Sequence, residues 1–469
     1  MQRSIWVTVS LLSAWLCSSD ALSEETVSVG SRLEVFVDNT LIATQNNTSL
    51  KPHYPVAQEV VLTCDAPWEG NVSGYYSFIQ DDDRFRVYYR GAHFDKGKVL
   101  HEVTCYAESK DGIHWVKPTL GLVEFNGSKE NNIILIDEKW KVGVNDHVAH
   151  NFTAFKDTNP ACPPDALYKA LGGEKSGLKA FKSPDGIRWT RIQTEPVIKD
   201  GYFDSQNLAF WDSVRKCYVS YFRDFRKPGS IRDIKVATSD DFLNWTTGVY
   251  LKYGDAPEEQ LYTNAIQPYY RAPHLYVGFP TRYQPKTQQV EPILMTSRDG
   301  LNFHRWNEPL IPITAPKDRD GNRSNYMAHG LIQVPGQHRE MSVFGTEAYY
   351  AGPASRVRRF TFRTDGFVSV HADETQGEMI TKPLTFSGKE LTLNYAVQNG
   401  GKLQVEIQDP NGKPIPGFAL ADSVALTGDE IDQTVSWKSG SDVSKLAGQP
   451  IRLRFIMTQG DLYSMKFSE

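Results

Sequence analysis

Ser109-Lys110-Asp111-Gly112-Ile113-His114-Trp115 closes a strand-like run, and the phrase returns four times along the chain. The near-copies are Ser183-Pro184-Asp185-Gly186-Ile187-Arg188-Trp189, Ser239-Asp240-Asp241-Phe242-Leu243-Asn244-Trp245 and Ser297-Arg298-Asp299-Gly300-Leu301-Asn302-Phe303, followed by a reduced Arg363-Thr364-Asp365-Gly366. The Asp positions are 74, 56, 58 and 66 residues apart. Self-similarity in fixed order over tens of residues marks a repeat architecture. Each interval has room for one four-stranded sheet and long loops, so the repeat predicts the five blades of a β-propeller.

The phrase itself reads as structural. Asp-Gly makes a turn because Gly takes positive φ without steric cost and Asp accepts local backbone hydrogen bonds. The Trp that follows offers a large apolar face to wedge between blades. Alternating runs such as Val103-Thr104-Cys105-Tyr106-Ala107 and Ile234-Lys235-Val236-Ala237 precede the turns, as strands should.

The chain has 469 residues, enough for a propeller and one further module. Residues 1–21 carry Arg3, an apolar run from Ile5 to Leu16 and small residues ending at Ala21, the pattern of a secretory signal peptide. The expected location is therefore secreted or periplasmic. No later stretch is apolar for long enough to span a membrane. Cys64, Cys105, Cys162 and Cys217 are far apart and form no C-x-x-C pair, which argues against zinc and leaves disulfide pairing open. A formal net charge of −5 with interspersed signs argues against nucleic acid or an anionic membrane as partner. Aromatic residues make up 12% of the chain, which suits both a propeller core and a cleft where rings stack on sugars.

The expected organisation is all-β: a five-bladed propeller over residues 30–370 and a β-sandwich over 375–469. Leu33–Val37 has no partner of its own and is expected to complete blade five, because a closed ring leaves no free sheet edge. Beyond residue 375 the alternation sharpens: Leu391, Leu393 and Tyr395; Leu403, Val405 and Ile407; Ile451, Leu453, Phe455 and Met457. Asn411-Gly412 reads as a hairpin turn within it.

A propeller gathers the starts of its inner strands around one axis, so polar residues there converge. Blade one offers Glu69, blade two Asn151, and blade three Asp204, Gln206 and Asn207, with Arg223 one strand later. Blade four offers Glu259 and then Arg282, and blade five offers His329 and then Glu347. Carboxylates and amides at several blade starts are what glycoside hydrolysis requires: an acid, a base or nucleophile, and donors to hydroxyls. In this reading Asp204 is the base, or the carboxylate that tunes its partner. Glu259 is the general acid and Glu69 a third carboxylate, while the other named residues bind substrate. Asp146, His147 and His150 read as an exposed turn, and no metal or cofactor is expected.

Five blades, a trailing β-sandwich and a leader, with phrases such as Asp204-Ser205-Gln206-Asn207 and Tyr221-Phe222-Arg223, resemble the secreted five-bladed propeller glycoside hydrolases, the fold shared by families 32, 43, 62 and 68. The invertase-type W-x-N-D-P-N-G, R-D-P and E-C motifs are absent from blades one to three, so no catalytic residue transfers by motif and the choices above rest on blade position. The resemblance implies an exported enzyme that hydrolyses O-glycosyl bonds of a plant or algal polysaccharide or its oligosaccharides. The alternatives are a non-catalytic carbohydrate-binding propeller and a cell-envelope scaffold or adhesion protein.

Overall fold

The computed structural model describes residues 25–137, 147–226, 230–312 and 326–469. The expected leader and Asp146 lie outside these. Among the described residues the chain is almost wholly strand and turn, with two single 3-10 turns.

Five antiparallel sheets form the blades. Blade one is built from Gly74–Gln80, Phe85–Asp95, Lys98–Ser109 and Ile133–Ile136, and blade two from Thr153–Lys156, Tyr168–Gly172, Lys179–Ser183 and Thr190–Arg191. Blade three uses Leu208–Asp212, Cys217–Phe225, Arg232–Ser239 and Val249–Tyr250. Blade four uses Gln267–Tyr269, Ala272–Gly278, Gln289–Ser297 and His304–Pro309, with Gln260–Leu261 and Thr281–Gln284 as an extension. Blade five pairs Glu340–Glu347 with Arg356–Arg363, and its inner edge is bridged by Met327 and Ile332.

The strand that completes blade five is Val56–Thr63, paired with Arg356–Arg363, and not Leu33–Val37. Glu34–Val35 pairs instead with Arg452–Ser468 of the C-terminal sheet. The reason lies in the side chains. Leu33, Val35 and Val37 are buried in a core shared with Phe279, Phe362 and Phe367, while Phe36 points into the C-terminal core with Leu391 and Phe455. A segment apolar on both faces needs cover on both sides, which an outer blade strand lacks. Val56–Thr63, largely exposed along its length, tolerates that position.

The turn phrase repeats its hydrogen bonds as faithfully as its residues. In four copies the Asp Oδ1 accepts backbone N–H groups two and three residues on, and the Ser Oγ donates to the same carboxylate, as at Ser109 and Asp111. The turn then ties one blade to the next. Tyr88 of blade one donates to the Gly186 carbonyl, and Tyr221 of blade three to the Gly300 carbonyl, both at 2.8 Å. Gly186 sits at φ +75°, and a Cβ there would lie 2.6 Å from the Tyr88 hydroxyl, so the glycine is required twice over.

The fifth copy has another task. Asp365 is fully buried and accepts from Tyr269, Arg271, Asn394 and Ser464, the last two belonging to the C-terminal strands. That sheet is organised by the long strands Glu390–Gln408 and Arg452–Ser468, and it also takes Ile42–Asn46 and Ser49–Pro52 from the start of the described chain. The alternating residues expected from the sequence are buried together around Trp437. Asn411-Gly412 lies in a turn closed by the Gly412 N–H donating to the Asp409 carbonyl. Cys64, Cys105, Cys162 and Cys217 are free thiols.

Candidate functional site

Just ahead of, or at the start of, each blade's inner run stands one side chain: Tyr75, His150, Asp204, Tyr262 and Tyr326. These five meet at one end of the axis, each partly exposed and flanked by buried neighbours. The Tyr75 and His150 rings are 5.7 Å apart, and His150 Nε2 lies 3.1 Å from Asp204 Oδ1. The Arg223 guanidinium, 3.7 Å from Asp204 Oδ2, stacks over Tyr262, and Tyr262 abuts Tyr326 at 5.8 Å. Tyr326 abuts Tyr349, whose hydroxyl accepts from Arg90, and Arg90 stacks back over Tyr75 at 4.6 Å. The contacts close a ring.

Buried amides beneath it hold the inner strands in place. Gln206 donates to the Tyr76 carbonyl, Asn151 to the Phe203 carbonyl, and Asn207 to the Phe203 and Ser205 carbonyls. His329 bridges Ser77, with its Nδ1 3.3 Å from the Ser77 hydroxyl. Tyr75 is held at φ +55°, a conformation that a non-glycine residue keeps only where its surroundings impose it.

Electrostatics sets Asp204 apart. Burial alone would raise its pKa, but the hydrogen bond and charge of His150, then Arg223 and Arg90, outweigh it and hold the carboxyl below its ordinary range. His150 shows the mirror image: burial pulls its pKa down, and hydrogen bonds to Asp204 and Glu102 leave it raised. Glu102 Oε1 sits 2.8 Å from the second imidazole nitrogen, so His150 joins two carboxylates. Burial raises the phenols of Tyr75 and Tyr326, which stay protonated. The Asp204 side chain is 44% exposed, and it opens onto a cleft of about 570 Å³ lined also by Lys175, Tyr202, Arg223 and Lys235. Tyr202 and Tyr350, 53% and 45% exposed, offer ring faces beside the ring.

Of the residues expected from the sequence, Asp204 and Arg223 reach the ring. Asn151, Gln206, Asn207 and His329 lie under it as buried ties. Glu69 is buried in blade one, accepting from Tyr89 at 2.5 Å and Lys117 at 2.7 Å. Glu259 faces a separate cleft of about 660 Å³, paired with Arg282 at 3.0 Å and Arg305 at 3.2 Å. Arg282 is shared with Glu291. Glu347 is buried within blade five beside Arg356 and Arg358. The three expected carboxylates therefore share no contact with one another. His150, expected in an exposed turn, is a ring member, because Val148 and Ala149 beside it are buried and turn it inward.

Among the described residues, Glu102, Asp137 and His147 bring three ligand-type atoms within 4.8 Å of one another, a spacing that could hold a cation next to His150. All three already have partners: Glu102 meets His150, Asp137 accepts the Ala149 N–H at 2.8 Å, and His147 lies 3.6 Å from Glu174. A larger cavity of about 780 Å³ lies at the rim of blade four, where Arg298 pairs with Asp38 and Asp299 is consumed by its turn.

No protein-family model matches the chain, and no curated protein matches it. Solved structures do resemble it. A glycoside hydrolase aligns at 13% identity over 66% of this chain and 92% of its own, with a TM-score of 0.46. A β-1,2-mannobiose phosphorylase from Listeria innocua, in complex with β-1,2-mannobiose, aligns at 11% over 66% and 96%, with 0.47. The Bombyx mori GH32 β-fructofuranosidase BmSUC1 aligns at 11% over 89% and 94%, with 0.43. Likenesses this remote carry nothing about substrate or mechanism.

Proposed function

We propose that this propeller is a carbohydrate-processing enzyme, acting outside the cytoplasm, that hydrolyses glycosidic bonds at the axial ring. One observation carries the reading: among the five ring side chains Asp204 alone is a carboxylate, and it is exposed to a cleft yet held ionised by two cations. An ionised carboxylate at a cleft floor accepts a proton from an attacking water. Protonated phenols stand within the same ring to donate to sugar oxygens, the departing one included, while the His150 imidazolium spends its two N–H groups on Asp204 and Glu102 and keeps Asp204 ionised. Tyr202 and Tyr350 give the apolar faces on which pyranose rings stack. Glu259 and Glu69, apart from the ring, take no part in this scheme.

The test is a panel of plant and algal polysaccharides scored for new reducing ends, with wild type and Asp204→Asn in parallel. Release by the wild type and its loss in the variant support the reading; equal release by both overturns the role of Asp204. A second reading has its own support, since the ring contains four aromatic or imidazole members and a single carboxylate. A non-catalytic carbohydrate-binding propeller would retain a glycan from the panel and release nothing.

A further inference from the structure

We infer that the sugar taken at this ring carries a negative charge, a carboxylate or a sulfate ester, received by Arg223 and Arg232. The inference rests on the carbohydrate reading above and narrows its substrate class.

Arg223 and Arg232 come from neighbouring strands of blade three, in which Arg232 stands opposite Phe225. Both guanidinium groups pack over the same two rings: Phe225 at 5.2 and 5.4 Å, and Tyr262 at 5.1 and 5.3 Å. Arg232 also stacks on Tyr283 at 4.5 Å. Two like charges are thus fixed side by side on one aromatic platform. Such stacking holds the planar forks rigid, which favours bidentate recognition of an oxyanion.

Their own countercharge is thin. Arg232 donates to the neutral Gln260 amide at 2.6 Å, and no carboxylate lies within 4.0 Å of it among the described residues. Its Nε is buried without an acceptor among the described residues. Arg223 spends its Nε on the Tyr202 carbonyl and reaches one carboxylate, Asp204, at 3.7 Å. Arg90, buried like Arg223 where Arg232 is half-buried, adds a third guanidinium, whose acceptors are the Val72 carbonyl and the Tyr349 hydroxyl. The cleft's other acids lie away from these arginines: Asp224 and Asp200 share Lys235, and Glu174 meets His147. Around the ring itself, Arg223, Arg232, Arg90 and His150 stand against two carboxylates, Asp204 and Glu102. Buried cations in excess are costly to a fold unless a ligand supplies the missing charge. A neutral sugar supplies none.

The probe is affinity electrophoresis of the full chain, in native gels containing pectate or carrageenan and, in parallel, carboxyl-reduced pectate or desulfated carrageenan. The chain's net charge of −5 opposes unspecific attraction to a polyanion, and added salt screens what remains. At least one acidic polymer should bind about tenfold more tightly than its neutralised twin. Arg232→Gln should remove that preference, and Arg232→Lys, which keeps the charge without the fork, should remove part of it. Circular dichroism of both variants guards against misfolding. The pectate and carrageenan arms separate carboxylate from sulfate. Tighter binding of the neutral twins, or a preference that survives Arg232→Gln, overturns the inference and leaves the carbohydrate reading standing. Retention by no polymer, acidic or neutral, overturns both.

Discussion

His150 touches Asp204 with one ring nitrogen and Glu102 with the other, at 3.1 and 2.8 Å, so a single imidazole couples the exposed carboxylate of blade three to a buried carboxylate of blade one. An imidazole so placed has one orientation available, and that orientation aims Asp204 at the cleft. The ring owes its geometry to blade packing, because each member enters from a different blade.

Asp204→Asn should lower turnover by about 10²–10⁴-fold on a glycan that the wild type cleaves. Asn keeps the hydrogen bond to His150 and the shape of the side chain, so the fold should survive. Rates and a thermal melt measured side by side check this, and unchanged rates would remove Asp204 from the chemistry.

His150→Gln should change how stability responds to alkaline pH. The pKa of His150 is raised in the folded state, so its charge stabilises the fold fully below the unfolded value of about 6.5. That contribution is lost as pH rises through the folded value. Wild-type melting temperature should therefore fall, as pH rises above about 6.5, more steeply than that of the variant. Parallel slopes would mean that the Asp204–His150–Glu102 contacts add nothing measurable.

Asp365→Ala should destabilise the protein by about 3–5 kcal/mol, because it removes a fully buried acceptor shared by Tyr269, Arg271, Asn394 and Ser464. Asp111→Ala, in an outlying turn, should cost about 1 kcal/mol. Urea denaturation of the two variants tests the ranking. Equal losses would show that the reduced fifth copy does no more than the others.

The repeat was legible because its turn chemistry is local: Ser and Asp two residues apart make the same bonds in four of the five blades. Asp204 was legible because blade position places it. Glu69 and Glu259 were not distinguishable from it, since what engages them lies far off in sequence, Lys117 for Glu69 and Arg282 with Arg305 for Glu259. The closing strand failed for the same reason: Val56–Thr63 finds its partner some 300 residues downstream. Tyr75, Tyr262 and Tyr326 carry neither charge nor amide, so a search for such groups at blade starts passes over them. Their shared place at the head of each inner run was the signal that could have found them.

Tyr350→Ala should weaken glycan binding by about 0.5–1.5 kcal/mol and leave the melting temperature nearly unchanged. The ring is 45% exposed and makes edge contacts with Phe94 and Tyr349, so its loss opens little of the core. Titration calorimetry with a retained oligosaccharide reads the first effect and a thermal melt the second. Undiminished affinity would remove this ring from the sugar platform.

His329→Asn should blunt the loss of stability in mild acid. Burial holds the His329 pKa down at about 4, and its Nε2 meets no partner among the described residues, while Nδ1 faces the Ser77 hydroxyl. The folded state thus keeps this imidazole neutral where the unfolded chain, with a pKa near 6.5, takes up a proton. Between those two values the unfolded state binds more protons, so stability falls as pH drops from about 6.5 to 4 and levels off below. The full contribution is about 3 kcal/mol. His53, His101 and His304 are also lowered by burial and steepen the same slope, so the comparison is between wild type and variant, not against a flat line. Ionised groups such as Asp204 and Glu34 act on the other side of the window, because a lowered carboxylate loses its stabilising effect only as pH falls below its unfolded value near 4. Asn retains a polar atom toward Ser77 and removes the titrating ring. Urea midpoints at half-unit steps from pH 7 to 4 should show a shallower fall for the variant, and identical falls would place the His329 side chain in contact with solvent.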